Sequence, residues 1–183
     1  MKYAVTLVAL LFAACEARVD TPTAEDLRLL LRPQALKSSK AIDEKAVVCA
    51  VAMPHLAYRV VSCTYDWSKS SHAQETEAIL FFDSTLRRYY STQDAERGYA
   101  TTRQAWFEGL KSFHWQQADE LLDLGDHHYA AYLMDGETPR GNAFLVRKGS
   151  IVMSVLVTGH VLNDRNAVHA LLEPLVAEAG RQK

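Results

Sequence analysis

Residues 128–157 read HYAAYLMDGETPRGNAFLVRKGSIVMSVLV, and this stretch decides the fold. Three short runs rich in Val, Leu, Tyr, Phe and Ala are separated by turn residues, the signature of neighbouring antiparallel strands. His128 to Met134 reads as the first strand, Ala143 to Arg147 as the second and Ile151 to Val157 as the third. Asp135-Gly136 opens the first connection, and Lys148-Gly149 makes a tight turn before the third strand. The expectation is an antiparallel meander.

Toward the C-terminus, Asn163-Asp164 can cap a helix, and Val168, Leu171, Leu172, Leu175 and Val176 follow the spacing of one buried face. Gly180 is the expected stop, with Arg181 and Lys183 at the negative end of the dipole. Pro174 removes one backbone hydrogen bond, so a kink or break is predicted there.

Upstream of the meander, Leu121 to Leu124 is read as a short strand and Gly125-Asp126 as a turn. The longest helical segment runs from Ser91 to Trp115, with Ala95, Tyr99, Thr102, Trp106, Leu110 and Phe113 in one stripe. Gly98 and Gly109 weaken it, which points to a shorter or divided helix. Before it, Val47 to Val51, Val60 to Trp67 and Ala78 to Phe82 read as strands. In the second of these, Val61, Cys63, Tyr65 and Trp67 share one face. Residues 34–45 and 68–75 read as loops. Thr21-Pro22-Thr23-Ala24-Glu25-Asp26 starts a helix that uses Leu27, Leu30 and Leu31 and ends at Pro33. The fold class is α+β: a single domain over residues 22–183, with an antiparallel β-sheet packed against helices.

The whole chain has 183 residues, 49% hydrophobic and 23% charged, with a formal net charge of −2. That length suits one domain with its own core. The charge balance excludes a basic nucleic-acid-binding protein, and the apolar content excludes wholesale disorder.

The N-terminus reads as an address. Lys2 precedes an apolar run from Ala4 to Ala14 broken only by Thr6, a secretory signal pattern. It is shorter than the roughly 20 residues that span a bilayer. Leu11-Phe12-Ala13-Ala14-Cys15 resembles the lipobox of bacterial lipoproteins, although Phe12 departs from the usual Leu, Val or Ile. The resemblance implies a signal peptide over residues 1–14, lipidation of Cys15 and a polar tether over 15–21. It implies a cell-envelope location facing the periplasm, on the outer membrane where the host has two membranes. Glu16 replaces the Asp linked in such proteins to inner-membrane retention. The alternative is ordinary cleavage near Ala14 or Ala17, releasing a soluble secreted protein.

Lipidation of Cys15 leaves Cys49 and Cys63 as a pair among three cysteines. An oxidising compartment favours joining them, and a loop this short would add about 3 kcal/mol on the chain-entropy model. The plainer alternative is two small buried thiols.

Catalytic signals are sparse. There is no GxSxG, SxxK, HExxH or glycine-rich phosphate loop. His127 and His128 are neighbours in a strand and point to opposite faces, so Asp126-His127-His128 is a poor metal site. His55, His72, His114 and His169 stand alone, and Asp135-Gly136-Glu137 is more economically a turn than a calcium loop. No metal or cofactor is expected. His128 and His160 are the pair whose convergence would indicate a pocket. The aromatic residues Tyr89, Tyr90, Tyr99, Trp106, Trp115, Tyr129 and Tyr132 are core anchors by default, and a binding surface if exposed together. Arg87-Arg88 beside Tyr89-Tyr90 forms the most conspicuous patch, with a solvated helix end as the plain explanation.

Leu124-Gly125-Asp126, Phe144 to Gly149, the strand Ile151 to Val157 and the Ala/Leu-rich last helix together resemble small bacterial secreted lipoproteins and extracytoplasmic sensor-like domains with a PsbP-like α+β fold. The resemblance implies a largely non-enzymatic family and carries over no functional residue. The functional expectation is a membrane-anchored, non-catalytic protein-binding module with a protein partner in the envelope. One form is an inhibitor or immunity protein of an envelope-targeting enzyme. Candidate binding residues are Arg87, Arg88, Tyr89, Tyr90, His128 and His160. The alternatives are an envelope enzyme or small-ligand carrier with a His/carboxylate pocket, and a structural subunit of an envelope complex.

Overall fold

The computed structural model describes residues 21–36, 44–52, 59–66, 81–109 and 114–182. The expected signal peptide, Cys15, most of the tether, His55, Trp67 and His72 lie outside them.

Seven strands form one antiparallel sheet: β1 (Val47–Ala52), β2 (Arg59–Asp66), β3 (Phe81–Arg88), β4 (His114–Gln117), β5 (His127–Asp135), β6 (Thr138–Lys148) and β7 (Ile151–Thr158). Their spatial order is β1-β2-β3-β7-β6-β5-β4. Two meanders, β1 to β3 and β4 to β7, are thus joined by the antiparallel pairing of β3 with β7. The predicted α+β class holds.

The C-terminal meander follows the predicted strands, with one extension. β6 starts at Thr138 rather than Ala143, because Asp135 pairs directly with Thr138 across a two-residue turn. Gly136 and Gly149 take φ of 60° and 58° at the two hairpin turns, a region that glycine enters without steric cost. Thr138, Pro139 and Arg140 are exposed and carry no apolar alternation, so patterning does not reveal them as strand.

Among the described residues, three helices flank the sheet. α1 (Ala24–Arg28) is capped by Thr23, whose hydroxyl accepts from the Asp26 amide while Asp26 accepts from the Thr23 amide. It is shorter than expected. Leu29, Leu30 and Leu31 are all buried, and three consecutive leucines cannot share one helical stripe. The Leu31 amide donates instead to Ser84 Oγ in β3 at 3.1 Å. Pro33–Leu36 then forms a 3₁₀ turn that runs from the predicted helix end into the predicted loop.

α2 (Thr92–Gly109) is capped by Ser91, whose Oγ accepts from the Asp94 amide at 3.0 Å. It stops at the second glycine, and Trp115, predicted to be helical, lies in β4. Leu121 to Leu124 is not a strand. Asp119–Leu121 is a 3₁₀ turn, and Leu121 and Leu122 at its end are both buried. α3 (Arg165–Arg181) is capped by Asp164 and continues through both Pro174 and Gly180. Pro174 and Ala170, whose carbonyl loses its partner, both lie on the exposed face, so the predicted break does not occur.

The sheet is covered on both faces. On one, α3 and Leu29–Leu31 pack over Val61, Cys63, Phe82, Leu86, Phe144, Val146, Met153 and Val155. That interface is filled, leaving a space of about 10 Å³ lined by Leu29, Ser84, Phe144, Met153 and α3 side chains. On the other face, α2 sets Ala95 and Tyr99 against Tyr129, Ala131, Leu145 and Val152.

Cys49 and Cys63 sit directly opposite each other on β1 and β2 and are joined by a disulfide, with their Cα atoms 4.1 Å apart. The predicted pairing is therefore present. It ties the sheet's edge strand to its neighbour.

Candidate functional site

The conspicuous Arg87-Arg88-Tyr89-Tyr90 patch is not one surface. These residues end a strand, not a helix, and alternate between faces of the sheet. Arg87 Nη1 donates to Ser154 Oγ at 3.0 Å on the α2 side, and burial lowers its pKa while Tyr89 and Asp83 oppose that shift. Arg88 turns to the other face. It is buried there, with Nη2 donating to Glu25 at 3.1 Å, Nε 3.5 Å from Asp26 and Nη1 bonded to Gln182. Tyr89 is buried against Gly98 of α2, and only Tyr90 is open to solvent.

His128 and His160 do not converge either. His128 lies opposite Val146, near the end of β6. His160 follows Gly159, whose amide donates to Arg140 near the start of β6 at 2.7 Å. Six residues of β6 separate the two positions, roughly 20 Å along a strand. Burial lowers the His160 pKa. Asp126 is engaged in closing the β6–β7 turn, accepting from the Gly149 amide at 2.7 Å and Lys148 Nζ at 2.9 Å. Among the described residues, no group of three or more His, Cys, Asp or Glu could hold a metal ion.

What the fold does bring together is an aromatic ridge where the second half of α2 meets β4 and β5. Trp106 on α2 stacks on Trp115 of β4, with centroids 6.1 Å apart and planes at 19°. Phe107 packs against both Trp115 and Tyr129 at 5.7 Å. Arg103 sets its guanidinium 4.6 Å from the Tyr129 ring centroid and 5.9 Å from that of Phe107, within cation–π range. Tyr99 continues the row to His127 at 5.8 Å.

Local rules build this arrangement. Tyr99, Arg103 and Phe107 are spaced i, i+4, i+8 and line up along one helix edge. Trp115, Tyr129 and His127 share the facing side of the sheet through the β4–β5 register. Burial raises the pKa of Tyr129, with Arg103 acting in the opposite direction, so its hydroxyl stays protonated near neutrality.

The ridge remains partly open. Phe107 is 41% exposed, Trp106 and Trp115 are half-buried, and a shallow surface cavity of about 350 Å³ is lined by Tyr99, Ala100, Arg103, Gln104 and Phe107. Through Trp115 the ridge includes β4, an edge strand of the sheet. Sequence reading identified Trp106, Trp115 and Tyr129 as core or binding candidates but missed Arg103 and Phe107. Their four-residue spacing from Tyr99 was the available signal.

Comparison with known proteins gives no match to any protein family, curated protein or solved structure.

Proposed function

We propose that the chain is a membrane-anchored extracytoplasmic lipoprotein whose folded domain binds a protein of the cell envelope without catalysis. The observation that carries the binding reading is the partly open Arg103–Phe107–Trp106–Trp115 ridge, which runs onto an edge strand. Trp, Tyr and Arg dominate the residues that anchor protein interfaces, because each buries a large rigid surface and keeps a polar or π-cation handle. The filled interface under α3 supports recognition by a surface rather than by an internal pocket. An inhibitor or immunity protein would use the ridge by occlusion, laying it over the mouth of a target enzyme's cleft. Membrane attachment rests on the Leu11–Cys15 motif.

Two measurements test the two halves separately. Mass spectrometry of the protein from a bacterial host should find a diacylglyceryl-modified Cys15, and Cys15→Ser should move the protein from the membrane fraction to the soluble one. Quantitative affinity capture from envelope extract should enrich a partner that Phe107→Ser and Trp106→Ser each lose by tenfold or more. Capture that is unchanged in both variants would refute the ridge as the binding surface.

A further inference from the structure

The disulfide is more than a buried staple, because its two sulfurs stand in different environments. Cys63 is fully buried. Cys49 is only half-buried and lines an open surface cavity of about 590 Å³, together with Pro22, Leu27, Arg32, Gln34 and Val47. Arg32 reaches over the bond from the turn after α1. Its Nη1 lies 2.9 Å from Cys49 Sγ and 3.4 Å from Cys63 Sγ.

A purely structural disulfide gains little from a cation at this distance, since neither sulfur carries a charge. The thiolates produced by opening the bond do carry one. A neighbouring guanidinium stabilises a thiolate and lowers its pKa, and a lower-pKa thiolate departs faster in exchange. An open approach to Cys49 and a guanidinium that bridges both sulfurs, so that it reaches whichever one departs as thiolate, meet the two requirements of thiol–disulfide exchange.

We infer that Cys49–Cys63 is a thiol-exchange site, opened by attack of an external dithiol on Cys49 Sγ with Arg32 holding the departing Cys63 thiolate. The reductant is a dithiol of either a small molecule or a partner protein. One of its thiolates forms a mixed disulfide with Cys49 as the Cys49–Cys63 bond breaks, and the bonding pair leaves on Cys63 Sγ. The second thiol of the reductant then attacks its own sulfur in the mixed disulfide and releases the Cys49 thiolate. The reductant ends as a disulfide and the protein as two thiols, a two-electron transfer in which protons released by the dithiol are available to the new thiolates. Opening the bond frees edge strand β1 from its covalent tie to β2.

The test uses the folded full chain without denaturant. Glutathione is added, the reaction is quenched by alkylation, and the adduct is located by peptide mass spectrometry. The expected adduct is on Cys49. The second-order rate of reduction by dithiothreitol should fall by about threefold or more in Arg32→Gln, and should recover in Arg32→Lys, which keeps the positive charge. An adduct on Cys63, a rate equal in Arg32→Gln and wild type, or reduction that proceeds only at the rate of global unfolding would each overturn the inference. The adduct position needs no variant, so poor folding of Arg32→Gln leaves the test intact.

Discussion

Asp26 Oδ2 accepts from both Nε and Nη2 of Arg59, at 2.9 and 2.7 Å, across 33 residues of sequence. The carboxylate is almost fully buried, with Arg88 Nε 3.5 Å from its other oxygen and Thr23 donating through both amide and hydroxyl. One side chain therefore closes the capping box of α1 and fastens that helix to β2 and β3.

Burial alone would raise the Asp26 pKa, but the hydrogen bonds from Arg59 and Thr23 prevail and lower it from 3.8 to about 2. A depressed native pKa contributes stability that is fully present above the unfolded value and is lost as pH falls through the folded one. About two kcal/mol should thus disappear between pH 5 and pH 1, read by urea titration across that range. Asp26→Asn should remove this part of the acid dependence and cost about 2–4 kcal/mol near neutrality, because it takes away the charge that Arg59 and Arg88 share and leaves Arg88 only the exposed Glu25 as an anionic partner.

Gly98 and Tyr89 form a contact with no room for a side chain: a Cβ on Gly98 would lie 2.0 Å from the Tyr89 hydroxyl oxygen. Gly98→Ala should therefore destabilise by about 1–2 kcal/mol, since overpacking outweighs the helix-propensity gain of about 1 kcal/mol. In a Tyr89→Val background the same substitution should cost little or become favourable. A double-mutant cycle by denaturant unfolding measures the coupling.

Asn142 is fully buried in β6, and its amide braces the approach to α3. Nδ2 donates to the Leu162 carbonyl at 3.0 Å, while Oδ1 accepts from the Leu162 amide at 2.6 Å. Asn142→Leu fills similar space but strands both backbone groups, so a loss of roughly 2–4 kcal/mol is expected. Hydrogen exchange at the Leu162 amide should accelerate more than at the β6–β7 amides.

Phe107 should separate binding from folding. Its ring is 41% exposed, so Phe107→Ser should change unfolding free energy by no more than about 1 kcal/mol. The same variant should show the tenfold loss of partner capture given above. A comparable loss of stability would mark the ring as part of the core instead.

Much of the fold was legible because strands and helices declare their buried faces locally. Val61, Cys63 and Tyr65 alternate and are buried as read. Val168, Leu172 and Val176 recur at helical spacing and cover the sheet. Departures occurred where a rule other than periodicity governed the backbone: three consecutive leucines after α1, an exposed strand start at residues 138–140, and a proline on the solvent side of α3.

The α+β class, the C-terminal meander and the final helix can be read from the sequence, which also offers Cys49–Cys63 as a pair while leaving two free thiols open. The first three depend on short-range periodicity, whereas the disulfide is settled by the register that sets Cys49 opposite Cys63. The pairing of β3 with β7, and the parting of Arg87 and Arg88 to opposite faces, come from the assembled domain. It alone decided that Asp26 meets Arg59, that Arg32 covers the disulfide, and that Arg103 and Phe107 complete a ridge with Trp115. Those meetings join residues far apart in the chain. They depend on which strand edges find one another once the apolar faces are buried, a choice made by packing across the whole domain and written in no local pattern.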